Sequence, residues 1–392
     1  MQSVVWKGCG LFLFLLVGQT SLAQSPNSRS FWQRFNPDSL TSRNLRFVPL
    51  PVLQSSPETG LKGGLALDYF FNTAGSERLV QRRMARGMSD SLLATTRDSY
   101  AYMQALYSVR RQLTLEGVWQ IYSPGETYIQ RGRGGYQDYS EYYWGIGNQT
   151  VSERSYNDIL YERWYLQHRM WRRVAGRFFA GLGYQYSETQ RLRTAEPPAL
   201  SEDIPGSRRS IVSGLGPTLL ADYRNNPFSP TQGWYAEWAL QTHFCDLGSQ
   251  YQYTEQTVDL RRYVPLPRNQ LVAFQVIGHF TAGTVPLREL PRLGGPNMMR
   301  GFVLGRYRDR QLWSAQTEYR RTLNRFLVGA VFVAAGGVAD QMRNFTLETT
   351  RYSGGAGLRV LMNRKKNLYA RFDLAVNSNQ TANFYFRMMD AF

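Results

Sequence analysis

Leu293-Gly294-Gly295-Pro296-Asn297-Met298-Met299-Arg300-Gly301-Phe302 separates two alternating runs, 268–282 and 310–322. Its glycines and proline stop it from continuing either a strand or a helix. It nevertheless carries Met298, Met299 and Phe302 around a single cation, Arg300. A solvated loop has no use for that mixture, whereas a loop folded back into a cavity does. There the apolar residues pack, and Arg300 requires a carboxylate on the cavity wall, because an unpaired buried charge is costly. The stretch predicts a membrane β-barrel with its longest functional loop tucked into its own lumen.

The flanking sequence has the period of two that such a wall requires. Leu65, Leu67, Tyr69 and Phe71 alternate with Gly64, Ala66 and Asp68. Trp234, Ala236, Trp238, Leu240 and Phe244 oppose Tyr235, Glu237, Gln241 and His243. Val272, Phe274, Val276 and Phe280 oppose Ala273, Gln275 and His279, and Leu368, Ala370, Phe372, Leu374 and Val376 oppose Tyr369, Arg371, Asp373 and Ala375. Large apolar residues on one face and small or polar ones on the other suit lipid outside and water inside. Such runs predict an all-β fold, a transmembrane antiparallel β-barrel of about sixteen strands. The strands are expected at 46–55, 60–73, 98–111, 112–122, 126–137, 156–171, 176–190, 209–224, 230–245, 249–265, 268–282, 310–322, 325–335, 354–363, 366–377 and 383–391. The inward-folded loop then lies between strands 11 and 12. Short turns fall on one side, expected to be periplasmic, and the long loops 191–208, 283–309 and 336–353 on the other. The connection 74–97 breaks that rule, being long on the short side.

The amino terminus reads as a targeting segment. Lys7, the apolar run Leu11–Val17 and the small residues ending at Ala23 predict a signal peptide over 1–23. Residues 24–45 read as a short periplasmic lead and 46–392 as the outer-membrane barrel. Cleavage would leave Cys245 as the remaining cysteine, which excludes an intramolecular disulfide framework. The chain has 25 Tyr, 21 Phe, 9 Trp and 35 Gly with 19% charged residues, the composition of aromatic girdles and tightly curved strands. Its 46 Lys and Arg against 29 Asp and Glu give a net charge of +17. An exported chain meets no nucleic acid, so that balance points to lipid phosphates or to anionic groups in a lumen. There are 3 histidines. His243 and His279 share the lumenal face, which is wrong for a lipase acting on membrane lipid, and no nucleophile motif accompanies them. Two wall histidines without clustered carboxylates do not make a metal site. The expectation is a non-enzymatic protein with no cofactor.

With these runs in place, Met-Met-Arg-Gly-Phe at 298–302 resembles the Arg-Gly-Phe/Tyr signature in the sixth extracellular loop of the BamA/TamA superfamily of barrel assembly and translocation proteins. The resemblance extends to Ser56-Pro57-Glu58-Thr59-Gly60, Asn226-Pro227-Phe228 through Gly233, Glu318-Tyr319-Arg320 and Gly355–Arg359, in the family's order. It marks Arg300, Gly301 and Phe302 as the loop signature. The terminal Phe392, expected to share a face with Phe384, Phe386 and Met388, resembles the carboxy-terminal assembly signal of such barrels. Two departures stand out. Residues 24–45 are too few for the periplasmic POTRA domains of family members. The family's Phe-x-Asp-x-Gly run reads Phe332-Val333-Ala334-Ala335-Gly336 here, so Ala334 replaces the aspartate that often holds the loop arginine.

Alternation then offers Glu318 and Asp373 as lumenal partners of Arg300, and it places Arg163, Arg169, Arg359 and Arg371 on the polar face. Pro49 and Pro51, two apart in strand 1, remove backbone donors from one edge. That edge is expected to face strand 16, making the seam between the two a weak closure. Two functions are open on these residues. One is assembly or translocation at the strand 1–strand 16 seam, with outer-membrane lipids, unfolded outer-membrane proteins or a POTRA-bearing partner as partners. The other is a passive anion-favouring pore or transporter.

Overall fold

The computed structural model describes residues 47–73, 96–149, 155–197, 199–227, 229–363, 368–388 and 391–392. The signal-peptide and lead expectations at 1–45, and most of the long 74–97 connection, lie outside them. Sixteen strands close into one antiparallel barrel. In chain order they are β1 (Phe47–Ser56), β2 (Gly60–Phe71), β3 (Ser99–Ser108), β4 (Leu113–Tyr122), β5 (Tyr128–Tyr143), β6 (Asn157–Ala175), β7 (Phe178–Thr194), β8 (Ser210–Asp222), β9 (Gly233–His243), β10 (Tyr253–Leu266) and β11 (Gln270–Gly283). After the loop come β14 (Gln311–Thr322), β15 (Leu327–Ala339), β16 (Arg351–Asn363), β17 (Leu368–Asn377) and β18 (Ala382–Met388). Within the loop, β12 (Arg292–Leu293) and β13 (Tyr307–Arg308) form a small ribbon of their own.

Alternation sets the two faces. Leu65, Val333, Leu374 and Val376 stand exposed on the outer wall, while Ala66, Ala334, Asp373 and Ala375 beside them are buried inside. Glycine serves this wall where side chains must cross it closely. The His243 ring lies over Gly214, so a Cβ there would meet the ring at 2.6 Å.

Every expected strand is present, but several run further toward the long-loop rim. β5 continues to Tyr143, six residues past its expected end, and β15 continues to Ala339. β6 and β7 still pair at Ile159↔Thr194. The expected loops 191–208 and 336–353 are correspondingly shorter. Above the apolar belt both wall faces meet water, so the hydrophobic alternation fades while backbone pairing goes on.

The connection ahead of β3 ends inside the short-turn mouth. Arg97 pairs with Glu126 at 2.8 Å and with Asp222 at 2.6 Å. Beside it Tyr122, Ile129, Trp171, Phe179, Leu220 and Tyr235 form an apolar cluster on the lumenal face.

β18 does not run to the end of the chain. Phe384 and Phe386 face outward as expected, Phe386 stacking on Phe372 with ring centroids 4.7 Å apart. Phe392 instead lies buried in the lumen against Tyr263, Leu271 and Ala273, and its carboxy-terminal oxygen accepts a bond from Arg320 at 3.3 Å. The expectation that Phe392 shares the outer face of the last strand is therefore corrected. Among the described residues, β18 pairs with β1 only at Ser55↔Phe386. Continued in register, that pairing would set Phe392 opposite Pro49, which has no donor to hold it.

Val333 is 63% exposed in the middle of β15. A charge on the lipid face near mid-membrane costs ~2–4 kcal/mol. Val333→Arg should lower the urea stability of the barrel in phosphatidylcholine vesicles by that amount. Equal stability of variant and wild type would place this face away from lipid.

Candidate functional site

The loop between β11 and β14 crosses the lumen and packs on two walls. Val285, Leu287 and Leu290 join Ile159, Tyr161, Leu192, Val212 and Tyr253 in one apolar cluster. Leu293, Met299, Phe302 and Tyr307 join Leu312, Ala334 and Val338 in another. Within the second cluster the loop backbone bends through positive φ at Met299 (52°) and Gly301 (109°). A Cβ on Gly301 would approach the carbonyl oxygen of Val376 at 3.0 Å, so the loop lies hard against β17.

That bend delivers Arg300 to a site with no exposure of its side chain. Its guanidinium pairs with Glu318 at 2.6 Å and Asp373 at 2.9 Å, and it stacks over the Phe332 ring at 3.5 Å. Both candidate partners expected from alternation thus lie against it. Each carboxylate is shared. Glu318 also takes Arg320 at 2.6 Å and Arg359 at 2.9 Å. Asp373 also takes Arg359 at 2.7 Å and Arg371 at 3.3 Å. Arg371 in turn donates to the carbonyl of Pro296 at 2.8 Å, returning the network to the loop. Gly357 makes room for this hub, since a Cβ there would collide with the Asp373 carboxylate and the Phe372 carbonyl. Ala334, at the position of the family's aspartate, packs in the apolar cluster, and Phe332 presents its ring to the arginine.

The loop backbone is also held. The Tyr385 hydroxyl accepts from Gly301 N–H at 3.1 Å and donates to the Phe302 carbonyl at 3.0 Å. Asn377 and Asn383 both donate to the Gly301 carbonyl, at 2.7 and 2.6 Å. On the other side of the seam, Glu58 in the β1–β2 turn accepts from Leu304 N–H at 2.6 Å.

A second anchor lies toward β5. Glu141 pairs with Arg308 at 2.9 Å and Arg292 at 2.7 Å. Glu289 pairs with Arg163 at 2.9 Å. Burial alone would push the Glu289 carboxyl up, but Arg163 and Arg288 together hold it below its ordinary value. Arg169 pairs with Glu237 on the wall. All four arginines assigned to the polar face therefore meet lumenal or loop carboxylates.

Several of these partners escape sequence reasoning. Glu141 lies past the expected end of its strand, though on its lumenal parity. Glu58 belongs to a quoted hairpin motif that gave it no role. Asn377, Asn383 and Tyr385 act on the loop backbone, for which no motif exists.

Residues 104–392 match a family model described as the Omp85 superfamily domain. No curated protein matches the chain. Among solved structures, the barrel is similar to BamA from Haemophilus ducreyi lacking POTRA domains 1–3, at 13% identity and a TM-score of 0.56, over 88% of this chain and 70% of that one. It is similar to CdiB from Acinetobacter baumannii at 10% identity and TM-score 0.53, over 88% of this chain and 59% of that one. It is similar to CdiB from Escherichia coli at 9% identity and TM-score 0.55, over 86% and 61%. The chain thus spans about three fifths of the two CdiB chains.

Removing one partner of a buried ion pair costs about 3–5 kcal/mol. Arg300→Ala should therefore release the loop, and limited proteolysis in detergent should cut within 284–310 where wild type is resistant. Gly357→Ala should act in the same direction by pushing Asp373 away. If the loop of Arg300→Ala stays as resistant as wild type, the arginine does not pin it.

Proposed function

Since the chain belongs to the Omp85 superfamily, and is accordingly an outer-membrane barrel, we propose that it handles the insertion or translocation of outer-membrane protein or lipid at the seam between β1 and β18. The observation that carries this reading is the state of that seam. Among the described residues, Ser55↔Phe386 is the one register pair between β1 and β18, against an unbroken ladder of ten pairs between β1 and β2.

The prolines fall on the weak edge. Leu61 accepts a backbone bond from Val109, at the end of the β3 hairpin, so odd residues of β2 point toward β3 and even ones toward β1. In the β1–β2 register, Val52 faces Gly64 and Gln54 faces Lys62, so even residues of β1 serve β2. Odd residues, Pro49 and Pro51 among them, point toward β18. Each absent donor forgoes roughly 0.5–1.5 kcal/mol, and an unpaired carbonyl facing lipid weakens the edge further. A client strand supplies donors that the native edge lacks, which is the physical basis for pairing there.

What holds the seam instead is side chains and the loop. Arg387 donates to Gln54 at 3.0 Å across it. The loop spans it from inside, bonded to Tyr385 and Asn383 of β18 and to Glu58 of the first hairpin. Release of the loop therefore loosens both sides at once. Catalysis has no part in this reading. Recruitment of a client is assigned to a POTRA-bearing partner. A passive anion-favouring pore requires an open lumen, whereas the loop and the apolar clusters on both walls occupy this one.

Two variants test the seam. Pro49→Val with Pro51→Val should restore donors, raise the crosslinking yield of a Ser55→Cys/Phe386→Cys pair and raise the temperature of heat-modifiability. Glu58→Ala should lower both. The gate idea fails if neither quantity moves in the double valine variant.

A further inference from the structure

The lumenal face of the seam carries a row of cations. Gln54 of β1 stands opposite Lys62 of β2, and on its other side it accepts a bond from Arg387 of β18 at 3.0 Å. Arg387 is in turn opposite Arg371, and Arg371 is opposite Arg359. Five neighbouring positions on five strands thus hold four cations and one amide. Like charges directly opposite each other on a sheet are destabilising. Arg359 and Arg371 have Glu318 and Asp373 beside them. Lys62 and Arg387, one on either side of the join, have no ion pair among the described residues.

The partners these two do have are neutral. Lys62 is buried, at 8% exposure, and leans away from the seam to donate to Thr114 at 2.9 Å, with the Tyr139 ring centroid 5.5 Å from its Nζ. Arg387 has Gln54. Across the join the two cations repel each other. Glu116 attracts Lys62, but it is already bonded to Tyr165 at 2.7 Å and Gln104 at 2.8 Å, and it pairs with Arg133. Glu58 is occupied by the Leu304 N–H. Burying a cation without a counter-ion is costly. The inner edge of the seam is therefore a pair of cations that the negative charge of a ligand completes.

We infer that this inner edge binds the phosphodiester of a phospholipid, held over Gln54 between Lys62 and Arg387. The inference rests on the seam reading above and names its substrate class. A group over Gln54 lies one strand spacing, about 4.8 Å, from the backbone on either side, within reach of both long side chains. One non-bridging oxygen meets the Arg387 guanidinium and the other meets the Lys62 ammonium, which swings back from Thr114. A headgroup passing through the wall must leave water, and a pair of cations offsets that cost. A fixed pair of cations also suits a ligand of fixed charge. Every phosphodiester carries one negative charge, whereas the side chains of client strands differ from client to client. Occupancy exchanges repulsion across the join for attraction, so the loaded seam is held more firmly than the unliganded one.

The test uses the full chain in dodecyl maltoside, which has no phosphate, with phosphatidylglycerol added. Native mass spectrometry should show the lipid retained on the barrel, and the crosslinking yield of the Ser55→Cys/Phe386→Cys pair should rise with it. Lys62→Gln and Arg387→Gln should each weaken retention about tenfold, the size of one charged hydrogen bond, while Lys62→Arg should keep it. Lys62→Glu should lose the lipid yet raise the crosslinking yield without it, because its carboxylate meets Arg387 directly. Heat-modifiability reports which variants are folded, and Arg387→Gln stands in should Lys62→Gln not be. Retention in the glutamine variants equal to wild type overturns the inference. So does displacement of the lipid by an equal concentration of soluble glycerol 3-phosphate or of an acidic strand peptide, which would assign the site to a solute or to a client carboxylate. Retention is read without reference to opening. If it fails while Pro49→Val with Pro51→Val still tightens the seam, the seam reading stands and this one falls.

Discussion

Glu318 and Asp373 are the acidic side chains on which four guanidiniums converge, and the arrangement of the lumen follows from that sharing. A barrel that turns its large apolar residues to lipid keeps little hydrophobic material for its inside. Its interior must be joined by charge and by whatever apolar side chains a loop brings in. The loop between β11 and β14 brings both. Arg300 supplies the charge, and Leu293, Met299, Phe302 and Tyr307 supply the packing. Because the two carboxylates between them are shared among arginines from β14, β16, β17 and the loop, these strands are tied together by the same bonds that seat the loop.

Much of this was legible in the sequence because period two assigns parity, and parity decides which side chains can meet. Glu318 and Asp373 could be named as partners of Arg300 once their faces were read, even with Ala334 at the family's aspartate position. The edge of β1 that carries Pro49 and Pro51 was legible for the same reason. What parity does not encode is distance along and across the barrel. Glu141 was hidden because its strand outruns the apolar alternation. The Glu58 contact joins a turn to a backbone N–H nearly 250 residues later. Phe392 illustrates a different limit. Its pattern continues the outer face of β18, but a strand is held only while a neighbour offers donors, and the prolines of β1 do not.

The loop and the seam form one mechanical unit. The bonds from Tyr385 and Asn383 to residues 301–302, and from Glu58 to Leu304, connect the two edges through the loop backbone where they barely connect to each other. A lumen plug of this kind does more than obstruct. It substitutes for missing ladder bonds, and its seating sets how firmly the barrel is shut.

The unequal ladders also bear on how such a chain folds. β5, β6 and β7 follow one another in sequence and pair over almost their whole length, so they can form early with modest losses of chain entropy. Ser55 and Phe386 lie near opposite ends of the sequence, and among the described residues their meeting gains a single register pair. Closure is therefore the most costly step in entropy and the least rewarded in bonds, which places it last. The species just before it is a curled open sheet with two free edges, exposed to any strand that can pair. Opening the finished barrel at its weakest join, as the proposed seam function requires, returns to that same sheet, so under that proposal the final step of biogenesis and the opening cross one barrier in opposite directions.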